Sequence, residues 1–93
     1  MRLKKWEIEI IKKNAKKVFG ENVVVKLFGS RVDDTKKGGD IDLFVISDNH
    51  SFEQQRKFWA LLQIELGEQK IDIIYNEDKN REIEKVANQG IVL

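Results

Sequence analysis

The 93-residue sequence has no cysteine and no proline, and only one histidine, one tyrosine and one methionine. Without cysteine, neither a disulfide framework nor a thiolate metal site is possible, and a cytoplasmic setting fits. Without proline, the turns must rest on Gly, Asn, Asp and Ser. No apolar run approaches the roughly 20 residues needed to span a bilayer, so no membrane association is expected. The first residues, MRLKKWEIEIIKKNAKK, keep alternating charge with apolar side chains and lack the apolar stretch of a secretory signal. Excess charge of one sign is also missing. The formal net charge is +1, with 41% hydrophobic and 35% charged residues, the balance of a soluble globular chain. One domain spanning 1–93 is expected from this length.

The near-neutral sum hides an uneven distribution. Residues 1–19 carry seven basic and two acidic side chains, and residues 20–93 carry ten basic and fourteen acidic. The basic stripe reads first as a solvated helix face. Direct nucleic-acid contact through it is the lesser reading, because no aromatics are interleaved as on a single-strand binding surface.

Residues 3–19 predict an amphipathic helix with Ile8, Ile11, Ala15, Val18 and Phe19 at helical spacing and Gly20 as its stop. The β-branched run Val23–Phe28 predicts a strand, with Val23, Val25 and Leu27 on one side and Val24, Lys26 and Phe28 on the other. Gly29-Ser30 turns the chain, and Ser30 is a good N-cap for a short helical turn. Residues 33–39 read as a polar loop. Asp40–Ile46 is a second strand. Ser51 and Gln54 have the spacing of a capping box, opening a helix with Phe52, Phe58, Trp59, Leu62 and Leu66 inward. Lys70–Tyr75 is a third strand. Asp78 is expected to cap a last helix with Ile83, Val86 and Ala87 inward. Ile91-Val92-Leu93 is a short apolar tail with no assigned role. The expected fold is α/β (α+β): a mixed sheet of about three strands with helices packed on it. The short link between the first two strands allows antiparallel neighbours, and the helix before the third allows a parallel crossover.

Three aspartates interrupt these apolar segments: Asp40 and Asp42 in the second strand and Asp72 in the third. Charged carboxylates are rarely set among core residues unless something pairs with them. Side chains alternate along a strand, so Asp40 and Asp42 share a face, roughly 6.6 Å apart along the backbone. If the third strand pairs with the second, Asp72 completes the cluster. Uncompensated, such charges repel by roughly 1–4 kcal/mol per pair, depending on the local dielectric. Oxygen-only ligation selects a hard ion, Mg²⁺ or Mn²⁺. Two such ions about 3.5–4 Å apart clamp the attacking and leaving oxygens of an in-line phosphoryl or nucleotidyl transfer. Gly29 lets backbone approach a phosphate without a Cβ in the way, and free N–H groups of the following turn favour anions. Ser30 adds a hydroxyl and Arg31 a charge. Together these residues suit a nucleoside triphosphate, its tail at Gly29, Ser30 and Arg31, its metals at Asp40, Asp42 and Asp72. Lys26 points either to phosphate or to water. His50 reads as a solvated loop residue rather than a base. Trp6, Phe58 and Trp59 read as core or partner surface, and Tyr75 as core edge.

Gly29-Ser30, nine residues, then Asp40-Ile41-Asp42-Leu43 resembles the signature of the DNA polymerase β-type nucleotidyltransferases. The short chain is similar to the minimal nucleotidyltransferases (MNT proteins), and the resemblance runs from the leading helix to the closing one. It departs from the pattern at Val32-Asp33-Asp34, where small residues such as Ala-Arg-Gly are frequent, and at Gly39, where Ser is common. The resemblance implies that Asp40 and Asp42 bind both metals and that Asp72 helps ligate the one that activates the incoming hydroxyl. It further implies a Mg²⁺-dependent enzyme moving AMP, or another NMP, from ATP onto a hydroxyl. The expected partner is a HEPN-domain toxin, modified by this chain as its antitoxin in a homo- or hetero-oligomer. The alternatives are a non-catalytic antitoxin that neutralises its partner by contact alone, and modification of a small molecule, for which a chain this short would have to dimerise.

Overall fold

Helix α1 (Lys5–Phe19) starts where Glu7 reaches back and accepts the Lys4 backbone N–H at 2.8 Å. It buries Ile11, Ala15 and Phe19 and ends at Gly20, whose φ of 101° suits glycine and whose N–H donates to the Lys16 carbonyl. Strand β1 (Val24–Phe28) leads into a single 3₁₀ turn over Gly29–Val32. Strand β2 (Ile41–Ile46), helix α2 (Phe52–Leu66), strand β3 (Ile71–Tyr75), helix α3 (Glu82–Asn88) and strand β4 (Ile91–Val92) follow. This computed structural model describes residues 3–32, 40–67 and 69–93. The polar loop expected over 33–39 lies outside the described residues.

The sheet order is β3-β2-β1-β4. β1 pairs antiparallel with β2 and with β4, and β2 pairs parallel with β3 across the α2 crossover. The mixed α+β class is as expected. The strand count is not, because Ile91-Val92 is no idle tail. It forms the edge strand β4, opposite Lys26 and Leu27, and the Leu93 N–H donates to the Val25 carbonyl at 2.9 Å. Gly90 permits this return, since a Cβ there would strike the Leu27 carbonyl oxygen. Two residues are too few to carry a strand pattern, so only the pairing reveals it.

Strand alternation divides the apolar side chains between the two faces. Val25, Leu27, Ile41, Leu43, Val45, Ile71 and Tyr75 form the main core with α1 and α2. Phe28, Phe44 and Ala87, with Ile46 and Ile74 beside them, form a smaller cluster under α3 on the opposite face. Within α2, Phe58, Leu62 and Leu66 are buried as expected, but Phe52 and Trp59 are not: they are 71% and 49% exposed. The buried stripe follows Phe58, four residues apart, and leaves Phe52 and Trp59 on its flank.

The last helix also differs from expectation. Asp78 does not cap it. The Asp78 carboxylate accepts from the Asn80 N–H and its carbonyl accepts from the Arg81 N–H, making a turn, and Arg81 is the N-cap. Ala87 is buried, yet Ile83 and Val86 are largely exposed, and the inward place goes to Glu84. Glu84 accepts the backbone N–H groups of Glu77 and Asp78 and the Arg81 Nε at 2.7 Å. Burial acts to raise its pKa, but these bonds outweigh that and hold it below the usual range. A carboxylate satisfying a whole turn thus takes a position the apolar pattern assigned to carbon.

Candidate active site

Asp42 and Asp72 are register partners in β2 and β3, and Phe28 faces Asp42 from β1. Both aspartates lie on the sheet face that α3 covers, at the end of the sheet away from the α2 N-terminus. Asp40, two residues ahead of Asp42, has the same parity. Asp42 and Asp72, two of the three acids expected to act together, therefore come from adjacent strands on one face, and Asp40 immediately precedes β2, which begins at Ile41 and not at Asp40 as expected. The place of Asp72 depends on a pairing that no local pattern determined.

Gly29 ends β1 beside them. Its φ is 77°, and a Cβ added there would collide with Oδ2 of the Asp42 carboxylate. Only glycine allows the turn to pass this close to Asp42. The following 3₁₀ turn includes Ser30 and Arg31. Arg31 Nη2 donates to Gln69 Oε1 at 3.4 Å, tying the turn to the residues before β3. The Ser30 side chain lies outside the described structure.

Asp42 is half-buried, and its pKa is raised. Partial desolvation is the largest cause, followed by the negative charges of Asp72 and then Asp40, with Lys70 opposing them. Lys70 Nζ stands 3.4 Å from Asp40 Oδ2. Lys70 was not singled out from sequence, although a signal existed: it shares strand parity with Asp72, two residues on. The donors that Asp40, Asp42 and Asp72 supply are carboxylate oxygens, a chemistry that suits a hard divalent cation. Among the described residues, no three His, Asp or Glu side chains gather closely enough to hold a metal ion. The fit is one of donor type, register and charge.

The other residues considered from sequence stand apart from this centre. Lys26 Nζ donates to the Asn88 carbonyl and to its side-chain oxygen, both at 2.9 Å, placing a cation at the C-terminus of α3. His50 Nε2 pairs with the Asn76 carbonyl at 2.9 Å, and its ring lies 5.6 Å from that of Tyr75. It is a loop fastener, neither fully solvated nor close to the acids. Tyr75 packs against Phe19, and burial pushes its hydroxyl pKa upward. Among the described residues no helix is long and apolar enough to cross a membrane.

A comparison with curated proteins returned no match. The family described as "Polymerase beta, Nucleotidyltransferase" matches residues 8–93, which takes in most of α1 and every element after it. With its Gly-Ser turn, its paired strand aspartates and this match along nearly the whole sequence, the chain belongs to the polymerase beta nucleotidyltransferase family.

Proposed function

We propose that this chain is a Mg²⁺-dependent nucleotidyltransferase that moves AMP from ATP onto a hydroxyl of a partner protein. The observation that carries the reading is the Asp42–Asp72 register pair with Gly29 closed against Asp42. In the reaction, the acceptor hydroxyl oxygen bonds to the α-phosphorus, the bond to the β-phosphate oxygen breaks, and pyrophosphate leaves. Asp40 and Asp42 would hold two Mg²⁺ ions, with Asp72 serving the one nearer the acceptor. Mn²⁺ is the alternative ion. Bound there, the ions supply charge neutralisation for the triphosphate and for the oxygens entering and leaving phosphorus.

The chain's own residues divide the remaining work. Gly29 lets the turn close against Asp42, and Ser30 and Arg31 contact the triphosphate beside it. Asp72 assists loss of the acceptor's proton. Lys70 offsets part of the negative charge before the cations arrive. On this reading the acceptor is a protein that docks beside the acids and brings its own hydroxyl. A HEPN-type toxin, with this chain as its antitoxin, fits that requirement and the resemblance to minimal nucleotidyltransferases.

The test is incubation of the purified chain with Mg²⁺, the candidate partner and each of ATP, GTP, CTP and UTP, followed by intact-mass analysis. The expected result is a partner heavier by one or more AMP units, with no gain when Asp42→Asn replaces the native chain. A stable complex with no mass change, and undiminished neutralisation of the partner by an Asp40/Asp42 double variant, would leave contact alone as the function.

A further inference from the structure

The two edges of the sheet are unlike. β4 is two residues long, which blunts one edge, whereas β3 runs for five residues without proline or a bulge. Among the described residues, the ladder to β2 identifies which backbone groups of β3 are spare. Ile41 N–H donates to the Lys70 carbonyl and Asn76 N–H donates to the Val45 carbonyl. By the two-residue period, Asp72 and Ile74 bond to β2, while the N–H and C=O groups of Ile71, Ile73 and Tyr75 point away from the sheet. Of these the Tyr75 carbonyl accepts from Arg81 Nη2 at 3.2 Å. Beside the same edge runs an apolar groove of about 480 Å³ between α2 and β3, lined by Phe52, Arg56, Trp59, Ile73 and Tyr75. An open edge and an exposed aromatic groove side by side are the two requirements for adding a strand.

We propose that β3 pairs antiparallel with β3 of a second copy of this chain, about a two-fold axis at Ile73, making one continuous eight-stranded sheet. The choice of a second copy rests on self-complementarity. Centred on Ile73, the register sets the outward groups of Ile71 opposite those of Tyr75, whose carbonyl then accepts from both Arg81 and the second copy. It places Asp72 opposite Ile74, whereas a centre one residue earlier would set Asp72 against Asp72, a like-charge pair. It also brings Lys70 of each copy opposite Asn76, next to the acidic Glu77-Asp78 turn of the other. The two α2 helices then flank the join, and the exposed Phe52 and Trp59 close over the paired grooves. The interface is isologous and self-limiting, because pairing consumes the open edge of both copies.

Sedimentation equilibrium on the full chain, with two variants, tests this. The native chain is expected to be a dimer. Ile73→Pro removes an N–H that β2 does not use and weakens dimerisation by about tenfold or more. Phe52→Glu, at an exposed position, weakens it by placing a charge in the groove of each copy. Amide exchange on the native chain supplies a readout independent of either variant's folding. The Ile71, Ile73 and Tyr75 amides should slow with rising concentration in step with the dimer. A chain that stays monomeric overturns the proposal and leaves the edge to a strand of another protein. A dimer undiminished by Phe52→Glu, or formed with no added protection at these three amides, overturns it in favour of another face.

Discussion

Asp42 is the residue on which the site's electrostatics turn. Its pKa is raised first by partial burial and then by Asp72 and Asp40. A carboxyl with a raised folded pKa binds its proton more tightly in the folded state. Its unfavourable contribution is therefore absent below the unfolded value near 3.8 and grows as pH rises through the folded pKa. Asp42→Asn removes that contribution. The variant is expected to melt higher than the native chain at neutral pH, with the gap closing as pH falls below the ordinary carboxylate range; thermal melts across pH check this. The same variant should reduce nucleotidyl transfer by more than about a hundredfold, beyond the usual loss from changing a residue that merely orients a metal ligand. Gly29→Ala is harsher on the fold. Its φ of 77° disfavours any Cβ, and that Cβ meets the Asp42 carboxylate. A loss of about 1–2 kcal/mol or more is expected in denaturant unfolding, together with loss of transfer.

Each element can be probed at its own weak or strong point. The Ser51–Gln54 capping box is present, with the Gln54 N–H donating to Ser51 Oγ and the Ser51 N–H to Gln54 Oε1. Ser51→Ala should cost about 1 kcal/mol in urea unfolding. Neighbouring aromatics in the same helix should answer differently. Phe58 is fully buried, edge-on to Phe19 at 5.3 Å, and Phe58→Ala is expected to cost about 3–5 kcal/mol. Trp59, half-exposed on the groove, should change stability of the isolated fold by only about 0.5 kcal/mol. Similar losses at both positions in dilute protein would contradict the assignment of faces within α2. The helix pair has a polar fastening too. Glu65 on α2 accepts from Lys13 and Asn14 of α1, and these hydrogen bonds, Lys13's foremost, hold its carboxyl below the usual range.

Across the whole molecule, the prediction concerns cation linkage. If the acid cluster takes Mg²⁺ in the folded chain only, Mg²⁺ stabilises by mass action, about 2.7 kcal/mol at a hundred times its dissociation constant. The native chain should melt progressively higher as Mg²⁺ is added, Asp42→Asn should not respond, and Ca²⁺ or monovalent salt at matched ionic strength should do less. An equal response from Asp42→Asn would place the ion elsewhere.

Much of the centre could be read along the chain. The spacing of Asp40 and Asp42 follows strand alternation, although β2 itself begins at Ile41, and Gly29-Ser30 marks a turn because glycine alone tolerates the required backbone. These are local rules, and local rules act within a few residues. The same holds for the α1 face, the Ser51 cap and the order of strands and helices. What only tertiary structure decided depends on residues far apart in sequence. Asp72 joins Asp42 because β3 lies parallel to β2 in one register. Ile91-Val92 becomes a strand because β1 offers it an edge. Phe52, Trp59, Ile83 and Val86 stay exposed because the sheet meets only one stripe of each helix, and Glu84 turns inward because the Glu77–Arg81 turn needs its oxygens. Periodicity states that a helix or strand has two faces; which face is buried, and against what, is settled only when the partners arrive.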